Sequence, residues 1–542
     1  MATNLRVLRQ DDFTGGLNLR ADQFQLAPNE SPKMLNVEID PRGGVFSRGA
    51  MRRTNTTAIT PTNWNPTSLY SFFASTHRLM LSTGYSGSGG GGVNGDVFWS
   101  TDCSSYASLS IPVTTPFGAS FASWGEDLYI ATGSGSVAYK WDGTTKTALT
   151  SSGPTFQNSY TSPTLPAVFF PRCKHVVTHA GKIFAANTTE NGVDYPNRVR
   201  WSHPNLPGNW AADDYIDINT GSVGITALAV FSGHIVVFKE DAVFAIFGYD
   251  SDTFQVVEIS RSVGAVSPGS VATTESGVYF YSHPDGLMLY NGNAIIDLFQ
   301  PLRPAIADGH VNSSATQAIN VNYINRRVWV SVPYSETTSE TKPTVSFVYD
   351  NTVNKSGAWL MFSTYDGCGI SAGLTFTQTD GTTKHVVAHP THAYTLEVDN
   401  YVDSTDNVTG VDNQFTSRYR TRWFDAGSYS SNKMFRRPAI VVKQTSLASQ
   451  LNVVVYGNYE EAENGEMKQY VVEIPASGSG MLWGYALWGY ATWGAANPGS
   501  QVVNGRSIGL AKSVQLEFVG SPAQKWGVNS FTLKYNPRKV KA

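Results

Sequence analysis

The 542-residue chain carries 39 basic and 42 acidic residues, a net charge of −3, and only 15% charged residues in all. That balance excludes a large basic surface for gripping nucleic acid. Hydrophobic residues at 41% supply a sizeable core, and the length calls for two or three domains. Ordinary domains are roughly one quarter charged. Here Gly, Ser, Thr, Asn, Tyr and Trp fill the gap, a mixture poor in helix formers and rich in strand and turn formers.

In chain order, residues 1–54 form an extended segment. Phe13-Thr-Gly-Gly-Leu17 opens a strand and Leu26-Ala-Pro-Asn-Glu30 makes a Pro-gated turn. Leu35-Asn-Val37 is a short element, and Gly43-Gly-Val-Phe-Ser-Arg-Gly49 is a glycine hairpin before Arg52 and Arg53. The segment packs on the C-terminal domain or closes the ring of sheets described next, and the sequence leaves both open. Its start lacks the apolar core of a secretory signal. No run approaches the ~20 apolar residues of a membrane helix. Synthesis in a reducing cytoplasm, with any delivery outside the cell by lysis, is therefore expected.

Residues 55–410 predict β structure throughout, as short apolar runs alternate with Gly, Asn, Asp and Pro clusters. A unit recurs: a strand, a turn, then an aromatic-rich strand. Asp127–Ala131 leads to Val137–Trp141 and the turn Asp142-Gly143; Gly277–Tyr281 leads to Leu287–Tyr290 and the turn Asn291-Gly292. Looser copies begin at His77, Gly181, His234, Arg327 and His385. About seven units at a period of roughly 45–50 residues predict a β-propeller, with six to eight blades allowed. After residue 410 the character changes. Arg418–Phe424 and Lys433–Arg437 precede strands at Ala439–Lys443, Leu451–Tyr456, Val514–Phe518 and Phe531–Tyr535, a β-sandwich-like domain over 411–542.

The chemistry-bearing patterns weigh against an enzyme. Gly87-Ser-Gly89-Gly-Gly-Gly92 matches a dinucleotide fingerprint in letters only, since a strand rather than a helix follows it. It is a loop tip. His175 and His179 lack the helix and the Glu of a zinc site, and Cys103, Cys173 and Cys368 form neither a metal spacing nor a disulfide framework. Ser100-Thr-Asp102-Cys-Ser104 lacks the Gly and Trp of a sialidase Asp-box. Glycoside cleavage needs two spaced carboxylates; Asp213, Asp214, Asp217, Glu240 and Asp241 are the candidates, each an ordinary turn acid as well. No catalytic, metal or cofactor-binding residue is assigned, and no cofactor is expected. Arg418–Arg422 and Arg436-Arg437 could face DNA, but alternate arginines on an exposed strand, paired with a neighbouring subunit's acids, are preferred. In Met481–Gly494 a Trp-Gly pair recurs every fifth residue, fitting neither a strand nor a helix face. Two loops are thus the candidate subunit contacts or channel constrictions: Gly87, Gly89 and Gly92 in one, Trp483, Tyr485, Trp488, Tyr490 and Trp493 in the other.

The opening strings resemble the N-terminal signature of bacteriophage tail nozzle or tail hub proteins, the tail tubular protein B-like family of short-tailed phages. In that family a "GGLN" stretch, a "pxE" turn, an "LNV" strand and a "G-G-V-x-x-R-x-G" hairpin recur in this order. Further strings resemble the family in sequence order. They are Asn197-Arg-Val-Arg-Trp-Ser202 with Trp210 and Asp217, Val236-Val-Phe-Lys-Glu240, Val263–Pro268, His283-Pro-Asp-Gly286, and the two arginine-rich strings at 418–437. The resemblance implies a propeller-based virion protein, without catalysis. Six copies would form a ring below the portal and adaptor, extend the DNA channel, carry tail fibres or spikes, and hold the genome until ejection. The rivals are a propeller-type glycan hydrolase, which needs catalytic carboxylates, and a receptor-binding fibre, which needs a long fibrous repeat.

Overall fold

The computed structural model of the protein describes residues 5–54, 66–84, 94–149, 170–220, 223–337, 339–364, 367–388, 393–397, 414–428, 430–443, 448–460, 466–474, 500–521 and 524–538. The fold is all-β, built of many small antiparallel sheets. Among the described residues the helical content is one short α-helix, Arg303–Ala307, and three 3₁₀ turns. Two compact units emerge. One holds Arg53–Ser346 and Cys368–Leu396; the other gathers Met1–Arg52, Phe347–Gly367 and Glu397–Ala542.

In the larger unit, each hairpin expected from the sequence is preceded by a further strand that carries less pattern. The first sheet orders Pro66–Ala74, Thr76–Thr83, Val97–Ser100 and Ala107–Ser108. The second orders Ser120–Trp124, Asp127–Ala131, Tyr139–Trp141 and Lys146–Ala148. The third comprises Arg172–His179, Lys182–Glu190, Val193–Trp201 and Tyr215–Asp217; the fourth, Ala227–Phe231, His234–Phe238, Val243–Phe247 and Gln255–Ser260. The fifth comprises Val271–Thr274, Gly277–Ser282, Gly286–Tyr290 and Ile295–Asp297. The sixth gives this unit the hairpin Asn320–Ile324 and Arg327–Val332, and the seventh gives Ala372–Thr377, Thr383–Ala388 and Ala393–Glu397.

The turn chemistry explains the repeat. Asp142 accepts from the amides of Thr144 and Thr145 at 2.8 and 2.6 Å, and Asn291 accepts from Asn293 and Ala294 at 3.0 and 2.9 Å. The glycine after each takes a left-handed φ, 92° at Gly143 and 95° at Gly292, which other residues adopt at a cost.

The first five sheets share cores in series. Phe72, Met80 and Val97 of the first pack with Phe121, Leu128, Ile130 and Trp141 of the second. Similar shared cores join the second to the third, the third to the fourth and the fourth to the fifth. The opening strands are neighbours in series from Pro66–Ala74 to Ala372–Thr377, and the last lies against the first. There Leu79 and Cys103 of the first sheet bury with Phe376 and Val386 of the seventh. Polar contacts reinforce this junction: Lys384 Nζ donates to the Asp102 carbonyl at 3.0 Å and the His77 amide to Thr379 Oγ1 at 3.2 Å.

The smaller unit contains two larger sheets. One includes Arg6–Gln10, Ala439–Lys443, Ser500–Asn504 and Gly527–Pro537; the other includes Ser417–Arg420, Ser449–Gly457, Glu466–Ile474 and Val514–Gly520. Aromatic rings from both meet: Phe531 lies 5.9 Å from Phe518 and 5.6 Å from Phe424. The opening strings are held in this unit by polar pairing. Gly16 pairs with Trp359 in parallel, and a side chain there would meet the Trp359 carbonyl at 2.7 Å. Glu30 accepts from Asn18 Nδ2 and from the Ala27 amide, both at 2.9 Å. Asn36 is buried at φ 54°. Its Oδ1 accepts from Arg48 Nε and the Ser363 amide at 2.9 Å each, while its Nδ2 donates to the Thr416 carbonyl at 2.9 Å. The Arg48 guanidinium lies 3.8 Å from the Phe415 ring centroid.

One expectation is corrected here. Arg420 does not lie on an exposed strand facing another subunit. It is 8% exposed and pairs with Glu517 of its own sheet at 2.9 Å. The carboxylate sits on the adjacent antiparallel strand, where Arg420 and Glu517 are direct partners.

Candidate functional site

Two places draw polar side chains together in the larger unit. The first lies where opening strands begin. Thr67, Phe117, Ser267, Asn320 and Ser371, from the starts of five different sheets, line one cavity of about 100 Å³ with the exposed Lys342 at its rim. Ser267 Oγ donates to the Ile319 carbonyl at 3.3 Å, and Asn320 Nδ2 to the Ile370 carbonyl at 3.1 Å. Hydroxyl and amide groups here staple neighbouring sheets, and among the described residues Lys342 is the one charged side chain on the lining.

The second is an open trough of about 690 Å³ with His283, Asp285, Arg303, Asp308, His310 and Glu336 on its walls. Arg303 is already clamped, at 2.6 Å from Asp297 and 3.6 Å from Asp285. Burial holds the His283 imidazole below its usual pKa, against the pull of Glu240 and Asp285. Among the described residues no group of three His, Cys, Asp or Glu side chains is placed to hold a metal ion.

The candidate carboxylates are dispersed among structural duties. Asp217 chelates Arg198, with Nε at 2.8 Å and Nη2 at 2.9 Å. Asp214 is buried, its pKa raised by burial, and accepts from Ser251 Oγ at 3.0 Å. Asp213 and Glu240 are exposed. His175 and His179 lie on the Arg172–His179 strand rather than a helix. His175 bonds the Ile225 carbonyl at 3.2 Å, and burial lowers its pKa to about 4. All three cysteines are free, with Cys103 and Cys173 buried.

Sequence reasoning missed Glu190. Its two oxygens accept from Arg200 Nε and Nη2 and from Arg198 Nη1, all at 3.0 Å. Arg198 is also held between the Tyr195 and Tyr215 rings, 3.8 Å from each centroid. The signal was present: arginines at i and i+2 share one face of a strand, and burial of that face demands acids on the neighbouring strands.

Arg198 and Arg200 belong to the string Asn197–Ser202, and three of the strings singled out in the sequence meet in space. Asn197 of the first accepts from Lys239 Nζ of the second at 2.9 Å. The Lys239 carbonyl accepts from the Ala265 amide of the third at 2.8 Å. Gly264 sits so close that a side chain would meet that carbonyl at 2.0 Å. The third, fourth and fifth sheets are joined by this relay. In the smaller unit, Lys433 Nζ is buried against the carbonyls of Ser428 and Lys512, the latter at 2.7 Å. The loop candidates Gly87, Gly89, Gly92, Trp483, Tyr485, Trp488, Tyr490 and Trp493 lie outside the described residues.

No protein-family model matches the chain, and no curated protein does. Among solved structures, the crystal structure of the computationally designed Ika8 protein is similar over 64% of this chain and 100% of its own, at 10% identity and a TM-score of 0.32. A likeness that slight carries no argument about fold or function.

Proposed function

We propose that this chain is a structural protein of a bacteriophage tail, a nozzle- or hub-type subunit that assembles six to a ring. Its seven sheets are the blades of a closed β-propeller, and its smaller unit is a β-sandwich. The ring sits below the portal and adaptor, lengthens the DNA channel, anchors fibres or spikes, and helps retain and eject the genome. It acts without catalysis or cofactor, and it resides in the virion tail.

The blade reading is supported by the core that the seventh sheet shares with the first, since a ring of blades must bury its last face on its first. The family reading rests chiefly on one observation. Strings far apart in sequence, Asn197–Ser202, Val236–Glu240 and Val263–Pro268, bond to one another through Asn197, Lys239 and Ala265. Residues that specify architecture in this way belong to a scaffold. A passage for DNA also needs a wall that neither grips nor repels, and the low charge of the chain suits that duty.

The test is the solution mass of the purified protein, alone and with the adaptor. A species at six times the 58.8 kDa chain mass is the expected result. A monomer that stays monomeric with the adaptor and releases sugar from host polysaccharide would replace this reading with the hydrolase.

A further inference from the structure

We propose that copies of this chain join through two edge strands: Gln255–Ser260 of one copy adds antiparallel to Arg6–Gln10 of the next, with Val257 opposite Val7. This rests on the ring-subunit reading above.

Both strands leave apolar side chains at an open edge, as Ser500–Asn504 also does with Val502 59% exposed. An unpaired strand edge is a template for another chain, and proteins blunt such edges with brevity, lysine or proline. The last strands of the first, second, third and fifth sheets follow that rule. Ala107–Ser108 has two residues, and Lys146–Ala148, Tyr215–Asp217 and Ile295–Asp297 have three each. Gln255–Ser260 has six, with no Lys, Pro or Gly. Among the described residues it pairs on one side only, with Val243–Phe247, and the register shift lies at its far end. Val256 and Val257 are 38% and 43% exposed, and the adjacent Phe247 and Tyr249 extend the apolar row. In the other unit Arg6–Gln10 has five residues and, among the described residues, pairs only with Gly527–Pro537. Leu5 and Val7 there are 47% and 56% exposed.

Charge selects a second copy as the occupant. Around Gln255–Ser260 stand Asp250, Asp252 and Glu258, with Arg261 bound to Glu258 at 2.6 Å. Around Arg6–Gln10 stand Arg6, Arg9 and Lys534 against Asp12 and Asp11, the latter bound to Arg9 at 3.1 Å. Counting Arg261 and the Lys182 that reaches Asp250 at 3.8 Å, the first edge keeps a net negative balance; the second keeps a net positive one. A ring closed by rotation needs two different, complementary patches on every copy, and the chain carries such a pair. One antiparallel register satisfies both chemistries: Leu5 faces Ile259, Arg6 faces Glu258, Val7 faces Val257 and Leu8 faces Val256. A slip by one residue sets Arg6 against Val257 or Ile259 and loses the ion pair.

The experiment is charge reversal in the full chain, read by sedimentation velocity. Arg6→Glu and Glu258→Arg should each raise the concentration for half-dissociation of the rings at least tenfold, and the double variant should recover most of that loss. Recovery also certifies that the single variants fold. In parallel, a Val7→Cys chain mixed with a Val257→Cys chain under oxidation should give a covalent pair of copies, which neither gives alone. Wild-type protein that forms no rings defeats the ring reading itself. Wild-type rings that tolerate both single reversals and yield no mixed cross-link leave that reading standing and overturn this interface.

Discussion

The two units of the protein solve the same problem by different means. The larger unit divides its core among junctions, each shared by two neighbouring sheets and built largely from residues close in sequence. The smaller unit gathers segments hundreds of residues apart, and a few buried polar hubs hold them. Asn36 and Arg48 bind residues near 361 and 415, and Ser31 Oγ donates to the Arg420 carbonyl at 2.7 Å. Damage to a junction should therefore stay local, whereas damage to a hub should loosen its whole unit.

The largest effect is expected at the ion cluster of the third sheet. Glu190→Ala leaves two buried guanidinium groups without their shared acid, which should cost about 3–5 kcal/mol in urea unfolding. Native-state hydrogen exchange should show the loss concentrated between residues 172 and 260. At a hub, Asn36→Ala deletes three side-chain hydrogen bonds and puts Ala at a positive φ. About 3 kcal/mol is expected, and exchange should quicken across residues 5–52 and 414–538 together. Protection changes confined to Asn36 and its neighbours would erase the contrast between units.

A pH test comes next. The folded-state pKa of His175 is near 4, below the ordinary 6.5, because burial penalises the charged ring. The folded protein therefore holds fewer protons than the unfolded chain in that window. Its contribution is fully present above pH 6.5 and is lost as pH falls from 6.5 to 4, by up to about 3 kcal/mol. His175→Gln should flatten stability over that range. The smallest effect is expected where the seventh sheet meets the first: Phe376→Leu should cost about 1–1.5 kcal/mol, read as faster exchange in both sheets. A change in the seventh sheet alone would argue that the two faces are independent.

The same contrast governs how much of the molecule its sequence discloses. The seven hairpins were legible because each pairs an apolar strand with an aromatic-rich one, and in the two clearest units an Asp-Gly or Asn-Gly turn follows the second strand. The opening strands were not. Val271–Thr274 reads Val-Ala-Thr-Thr, and Ala372–Thr377 holds two Thr and a Gly, so small polar residues mask the period. Four strands of the smaller unit, near 439–443, 451–456, 514–518 and 531–535, were legible one by one, whereas Glu466–Ile474 and Ser500–Asn504 were not. Its hubs were hidden, because nothing local in Leu35-Asn-Val37 says that Asn36 will bond with Arg48, Ser363 and Thr416. Arg420 misled for a related reason: alternating arginines look exposed until the partner strand supplies a buried Glu517.

Rotational symmetry seen in single-particle images of the purified protein, alone and bound to the adaptor, tests the central claim most directly. The account requires annular particles with six-fold symmetry and an open or plugged axial bore. Particles that remain single copies beside the adaptor, or three-fold rods, would contradict it.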